Sequence, residues 1–189
     1  MTAGILLSAG AGTRFGGGKL LHPLADGVPL GVASLRRLRQ ALTRVVAVVR
    51  PGDDQLRELF EREGVDVAVC DLADQGMGHS LAAGVAHFAD AGGWLVALAD
   101  MPRIRSDTIR LIAHALERKR GIVVPEFQLT RGHPVAFGAD FRDEMLALSG
   151  DAGARTILQR YAERVTRLAV DDPGVLQDID TREDARRLS

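Results

Sequence analysis

A glycine-rich segment that directly follows a short apolar run constrains this chain more than any other feature. Residues 3–7 are apolar, and residues 6–19 contain five glycines together with the cationic side chains of Arg14 and Lys19. Glycine tolerates positive φ angles and lets backbone N–H groups approach an anion closely. Arginine and lysine add positive charge where a polyphosphate would lie. The segment therefore predicts a β-strand followed by a phosphate-binding loop.

Two common phosphate-binding patterns do not fit this loop. The dinucleotide-binding pattern G-x-G-x-x-G, started at Gly10, requires glycine at position 15, where the chain has Phe15. A P-loop that ends at Lys19 requires glycine at position 13 and Ser or Thr at position 20, and the chain has Thr13 and Leu20. The non-functional alternative is a flexible turn with solvated cations.

The remainder of the chain alternates between short β-rich runs and longer helical patterns. This alternation is typical of a mostly parallel sheet with helices on both faces. Further strands are predicted at residues 45–49, 65–70, 94–99, 122–125 and 165–170. A chain of 189 residues buries one core well, so we expect a single domain over residues 1–189.

The charge balance and the single cysteine exclude several classes of protein. The net charge of −1 shows no basic excess for nucleic acid, and no run of about 18 apolar residues suggests a membrane span. The first residues lack the pattern of a signal peptide. Cys70 has no partner for an internal disulfide, so we expect a reducing, cytoplasmic setting and a packing role for its thiol.

Two later segments carry further candidate chemistry. Asp100 follows the predicted strand at residues 94–99, at the edge where open α/β sheets bind ligands. One or two carboxylates and substrate phosphates suffice to bind Mg²⁺. The alternative is that Asp100 only caps the turn before Pro102. Gln75, Gly76 and Ser80 precede or open a predicted helix, whose free N–H groups suit an anion. The alternative for this second segment is a simple helix cap.

The first loop resembles the signature L-x-A-G-x-x-x-R-[MF]-G-x-x-K of the MobA/MocA-like nucleotidyltransferases, which activate the molybdenum cofactor with a nucleoside triphosphate. The matching residues are Leu7, Ala9, Gly10, Arg14, Phe15, Gly16 and Lys19. Ser8 and Gly12 depart from the commoner Ala and Ser. The resemblance implies a three-layer, Rossmann-like nucleotidyltransferase fold of the glycosyltransferase-A-like type. It also implies that Asp100, in Asp100-Met101-Pro102, is the magnesium-binding aspartate of the family's D-M-P motif.

Weaker resemblances extend along the rest of the chain. The loop with Gln75, Gly76 and Ser80 is similar to the family's Q-G-x-x-x-S-[LV] loop beside the nucleotide. His133 falls in a segment similar to the family's G-H-P-[VI]-x-F strand, which implies a position at the rim of the site and a contact with the acceptor. Arg155 falls in a G-D-x-G-A-R motif, where it either reaches the anionic acceptor or pairs with Asp151.

The segment around Asp178 and Asp180 resembles the family's [DN]-[IL]-[DN]-T turn, which joins the metal site. Thr181 and Asp184 also fit a capping box for the last helix, which leaves a purely structural role open for Asp180. The nucleotide-binding residues that the resemblance implies are Leu7, Ser8, Ala9, Gly10, Arg14, Lys19, Gln75, Gly76 and Ser80.

The reaction that the resemblance implies is transfer of CMP from CTP to the phosphate of molybdopterin, with release of pyrophosphate. Arg14 and Lys19 would hold the triphosphate, and Asp100 would hold Mg²⁺. Family members that use CTP usually carry A-A-G in the first loop and those that use GTP carry L-A-G-G, so Ala9 favours CTP. A molybdoenzyme or its chaperone would receive the product. The alternatives are a guanylyltransferase, a sugar-1-phosphate nucleotidyltransferase and a non-catalytic cofactor-handling module.

Overall fold

A mixed β-sheet forms the middle layer of the molecule. The computed structural model of this chain describes residues 1–10, 15–151 and 153–187, and eight strands of one sheet lie within them. The strands are β1 (Thr2–Leu7), β2 (Val45–Val49), β3 (Asp66–Val69), β4 (Gly93–Leu98), β5 (Ile122–Phe127), β6 (Thr130–Arg131), β7 (Val135–Gly138) and β8 (Val165–Ala169). Their order is β3-β2-β1-β4-β7-β5-β6, and β8 pairs with β5.

The parallel half of the sheet confirms the prediction from alternating runs. Strands β3, β2, β1 and β4 are parallel neighbours, and β5 is parallel to β8. All five residues of β2 are buried, as expected for a parallel strand that is covered on both faces. Strands β6 and β7 are antiparallel to their neighbours. The chain reverses direction between β5 and β6 at a tight turn, where Gln128 and Leu129 both have the positive φ angles that two-residue hairpin turns require.

Helices cover both faces of the sheet and confirm the three-layer architecture. They are α1 (Leu30–Ala41), α2 (Asp54–Arg62), α3 (Met77–His87), α4 (Ser106–Lys119), α5 (Arg142–Leu146), α6 (Arg155–Arg160) and α7 (Arg182–Arg187), with 3-10 turns at Lys19–Leu21, Ala73–Gln75, Ala139–Phe141, Ala162–Arg164 and Pro173–Leu176. One core cluster joins α1, α2 and α4 to the sheet, and a second joins α3, α5 and α6 to its other face. Leu42 lies one residue beyond α1, in extended conformation, and is buried. Within the described residues, none of the helices is both long and apolar enough to cross a bilayer.

The parallel register brings the carboxyl ends of three strands to one edge. Leu7 in β1 lies opposite Val48 in β2 and Leu98 in β4. The segments that follow these strands therefore leave the sheet side by side. Their first polar residues, Ser8, Arg50 and Asp100, are the groups that this edge offers to a ligand.

Candidate active site

A cavity of about 680 Å³ lies at this edge of the sheet. Its volume falls in the range of small-molecule sites. Predicted residues from four segments line it: Leu7, Ser8, Ala9, Gly10, Lys19, Gly76, Ser80 and Asp100. The structure thus brings together most of the residues that were predicted to bind nucleotide.

The backbone immediately after β1 continues in register with the sheet. The N–H group of Ser8 donates to the carbonyl oxygen of Val48 over 3.0 Å, and the Ser8 hydroxyl donates to the carbonyl oxygen of Leu6 over 3.4 Å. Ser8 and Ala9 are buried, whereas Gly10 is exposed. Arg14, predicted to hold the triphosphate, lies outside the described residues.

Three successive glycines carry the chain from the loop to Lys19. Gly16, Gly17 and Gly18 have φ angles of 86°, 88° and 63°, which are strained for any residue with a side chain. Phe15 precedes them and is buried in a small cluster with Leu30. The aromatic ring therefore anchors the loop to the core, while the glycines turn the backbone so that Lys19 reaches the cavity.

Lys19 lies between two carboxylates. Its Nζ atom donates to Asp100 Oδ2 over 2.8 Å and to Asp180 Oδ1 over 2.9 Å. Only 10% of the Lys19 side chain is exposed. Burial by itself lowers the pKa of Lys19, but the hydrogen bonds and charges of Asp100 and Asp180 outweigh burial, so the pKa is raised. The Lys19 side chain is therefore a charged ammonium at neutral pH.

The carboxylate of Asp100 fits a divalent cation. Its Oδ1 atom is buried and accepts no hydrogen bond from any described residue. Asp180 provides a second carboxylate, because both acids contact Lys19. No group of three or more His, Cys, Asp or Glu side chains at metal-binding spacing occurs among the described residues. A cation here would therefore complete its shell with water or phosphate oxygens, as Mg²⁺ usually does.

The C-terminal segment is held beside Asp100 by a backbone hydrogen bond. The N–H group of Ile179 donates to the carbonyl oxygen of Asp100 over 2.9 Å. Thr181 and Asp184 form the predicted capping box: the Asp184 carboxylate accepts from the Thr181 N–H over 2.8 Å, and the Thr181 hydroxyl accepts from the Asp184 N–H over 3.1 Å. The two aspartates of this segment differ in position: Asp178 is exposed, whereas Asp180 contacts Lys19.

The glycines at the start of α3 have a packing role. A Cβ atom on Gly76 would lie 2.2 Å from the carbonyl carbon of Gly150, and the N–H group of Gly78 donates to the Gly150 carbonyl oxygen over 2.8 Å. Ser80 is buried in the cavity wall, whereas Gln75 is exposed and does not line it. The motif around Gly76 thus docks a neighbouring loop against the cavity.

The two residues predicted to contact the acceptor are placed differently. Burial lowers the pKa of His133, although the negative charges of Asp100 and Asp178 oppose the shift. The backbone N–H group of His133 donates to the Val175 carbonyl oxygen over 2.9 Å. Arg155 is exposed at the start of α6 and, among the described residues, neither lines the cavity nor forms an ion pair with Asp151.

Sequence reasoning missed the part of the wall that follows β2. Arg50, Asp53 and Gln55 line the cavity, and Arg50 Nε donates to Asp53 Oδ2 over 3.1 Å. These residues were not predicted to belong to the site. The available signal was their position beyond a buried parallel strand, the same rule that identified Asp100.

The chain is similar to several known proteins. Residues 4–165 match the model of the MobA-like NTP transferase domain, so Asp178 and Asp180 lie beyond the matched part. Purine catabolism protein PucB of Bacillus subtilis (strain 168) is 33% identical over 96% of this chain and 92% of its own length. A probable molybdenum cofactor guanylyltransferase of Thermococcus kodakarensis is 29% identical over 98% of this chain and 93% of its own length.

A solved structure extends the likeness to three dimensions. The crystal structure of Rv0371c from Mycobacterium tuberculosis H37Rv, in complex with manganese, has a TM-score of 0.83 to this chain at 29% identity. The alignment covers 99% of this chain and 97% of that one. The fold, the cavity at the strand ends and the sequence match lead to one assignment: the chain is a nucleotidyltransferase-type protein that belongs to the MobA-like NTP transferase domain family.

Proposed function

We propose that the whole chain acts as one domain and transfers CMP from CTP to the terminal phosphate of a molybdopterin-type acceptor, releasing pyrophosphate. The observation that carries this proposal is the cluster of Lys19, Asp100 and Asp180, in which Lys19 and Asp100 line the cavity beyond β1 and β4. Family membership supports the reaction class. The relative named as a molybdenum cofactor guanylyltransferase supports the acceptor.

Positioning and charge neutralisation provide most of the catalysis in such a reaction, because phosphoryl transfer requires little covalent chemistry from the protein. Lys19, together with Arg14, would bind the triphosphate. Asp100 and Asp180 would hold Mg²⁺, which when bound neutralises negative charge on the α- and β-phosphate oxygens. The acceptor phosphate is ionised at neutral pH, so these side chains need only align it with the α-phosphorus.

Ala9 supports CTP over GTP as the donor. It is 8% exposed and lines the cavity directly after β1. Its methyl group takes space that a glycine would leave for a purine, and a clash discriminates between ligands more strongly than a missing contact. The Ala9→Gly variant should therefore gain activity with GTP and change less with CTP.

The test measures pyrophosphate release with CTP or GTP, with and without molybdopterin, for the parent and Ala9→Gly. We expect acceptor-dependent release, a higher kcat/KM for CTP in the parent, and a partial shift toward GTP in the variant. A parent that prefers GTP would contradict the cytidylyl assignment and leave the reaction class intact. Release that needs a sugar 1-phosphate in place of molybdopterin would contradict the acceptor. Binding of triphosphate without any transfer would favour the non-catalytic module.

A further inference from the structure

We propose that Lys19 is an internal counter-ion for the candidate metal site, which keeps Asp100 and Asp180 paired until a nucleoside triphosphate draws its ammonium away. Binding of the triphosphate would then make both carboxylates available to a divalent cation. The inference rests on the proposed function only for the presence of a triphosphate in the cavity. It assigns Lys19 a role in the order of binding, in addition to contact with the substrate.

The contacts of Lys19 are those of a bound cation. A lysine ammonium has three donors and no acceptor, and two of these donors point to Asp100 and Asp180 at 2.8 and 2.9 Å. The side chain is 10% exposed, so water screens these contacts little. An ammonium in this position repels a divalent cation and occupies carboxylate oxygens that the cation needs as ligands.

The cluster nevertheless keeps an unused ligand atom. Asp100 Oδ1 is buried with no hydrogen-bond donor among the described residues. Once the ammonium has left, this oxygen and the two carboxylates favour a cation of higher charge.

The chemistry of lysine and the local backbone both suit a change of partner. Lysine carries a compact charge on a flexible four-carbon stem, whereas the guanidinium of arginine is a rigid fork. Lys19 also follows Gly16, Gly17 and Gly18, whose positive φ angles are open to few other residues. A triphosphate beside Gly10 offers the ammonium several negative oxygens within the same cavity.

The two binding events must then be coupled. A triphosphate that moves the Lys19 ammonium raises the affinity of Asp100 and Asp180 for the cation. By linkage, the cation raises the affinity for the triphosphate by the same factor. The opposite view is that Lys19 is a fixed tether between distant segments, in which case neither ligand alters its contacts.

The first test measures Mn²⁺ binding without nucleotide, by electron paramagnetic resonance of free Mn²⁺. The chain contains two lysines, so Lys119, exposed at the end of α4, provides a matched control. Lys19→Met keeps a long side chain without charge and should bind Mn²⁺ at least about tenfold more tightly than the parent, which corresponds to loss of one charged hydrogen bond. Lys119→Met should match the parent. Equal or weaker Mn²⁺ binding by folded Lys19→Met would overturn the proposal.

The second test uses the unmodified protein and remains decisive if Lys19→Met does not fold. ¹⁵N-lysine labelling follows the two side-chain nitrogens by NMR. Metal-free CTP, with a chelator present, should shift the Lys19 resonance and leave Lys119 unchanged, while Mg²⁺ alone at the same concentration shifts neither. An unchanged Lys19 resonance at saturating CTP would overturn the proposal.

Calorimetry of the parent with CTP distinguishes this proposal from the proposed function. Absence of CTP binding would contradict the proposed function, and the Mn²⁺ comparison, which contains no nucleotide, would still decide the role of Lys19. CTP binding and transfer with an unchanged Mn²⁺ affinity in Lys19→Met would contradict only the inference about Lys19.

Discussion

Replacement of Asp100 by Asn separates a ligand-binding role from a structural one. The substitution keeps the size of the side chain and the backbone bond from Ile179 N–H to the Asp100 carbonyl oxygen. It removes the negative charge that Lys19 contacts at 2.8 Å, although the amide oxygen of Asn can still accept from the ammonium. The buried Oδ1 atom has no donor to lose.

The expected loss of stability is small. The Lys19 ammonium still donates to the amide oxygen of Asn, so the variant loses only the attraction between two opposite charges, which contributes up to about 1 kcal/mol. The Asp100 side chain is 24% exposed, and solvent reduces this cost further. For a chain of this length the midpoint of thermal unfolding should fall by no more than about 4 °C.

The expected loss of activity is large. If Asp100 holds the cation that neutralises the triphosphate, its removal should lower kcat/KM by about 10²- to 10³-fold, the range for loss of one preorganised electrostatic contact. Differential scanning calorimetry and initial rates of pyrophosphate release measure the two effects. Asp107→Asn is the control, because this carboxylate is 92% exposed on α4. A midpoint of thermal unfolding more than about 10 °C lower in Asp100→Asn, with its specific activity unchanged, would refute the ligand-binding role of Asp100.

Three further substitutions test the architecture around the site. Gly76→Ala places a Cβ 2.2 Å from a backbone carbon at a φ of 126°, so urea denaturation should show a loss of stability of about 2 kcal/mol or more. Gly10→Ala should change the stability little, because no atom of the described residues lies within 4 Å of the added Cβ. Equal stability of the two variants would contradict the packing role. The buried carboxylate of Asp172 accepts hydrogen bonds from two backbone N–H groups and one hydroxyl, and Asp172→Ala leaves these donors without their acceptor. Calorimetry should show a loss of stability of about 3 kcal/mol. Asp171→Ala, at an exposed position, should not show this loss. Burial lowers the pKa of His133, so the unfolded chain binds a proton at this position near pH 6.5 while the folded chain does not. The free energy of unfolding should therefore decrease as the pH drops below about 6.5. An equal decrease in folded His133→Gln would show that other groups cause it.

Elements with simple burial patterns could be predicted from the sequence. Strands β1, β2 and β4 are continuous apolar runs because helices cover both of their faces, and their ends agree with the prediction within one or two residues. Strand β6 has only two residues, Thr130 and Arg131, both exposed, so no apolar pattern marks it. Its pairing depends on the turn at Gln128 and Leu129, whose side chains are not those that favour such turns.

Local patterns predict the site one segment at a time, and only the family resemblance placed Asp180 with Asp100 in one metal site. Asp100 was found because it ends a buried parallel strand, and Lys19 because it ends a glycine-rich loop. Lys19 contacts Asp100, which lies 81 positions away, and Asp180, which lies 161 positions away. No local sequence pattern encodes contacts over such distances. The packing role of Gly76 depends in the same way on the approach of Gly150.

The sequence distances within the Lys19 cluster also bear on how the chain holds together. Lys19, Asp100 and Asp180 come from early, middle and late parts of the chain, and their ion pairs close loops of 81 and 161 residues. Closure of long loops costs conformational entropy and comes late in folding. A ligand that binds these three side chains together acts as a removable cross-link across the whole chain. Its stabilising effect should therefore reach amide hydrogens far from the cavity, including those of β2, and slow their exchange as global unfolding becomes rarer.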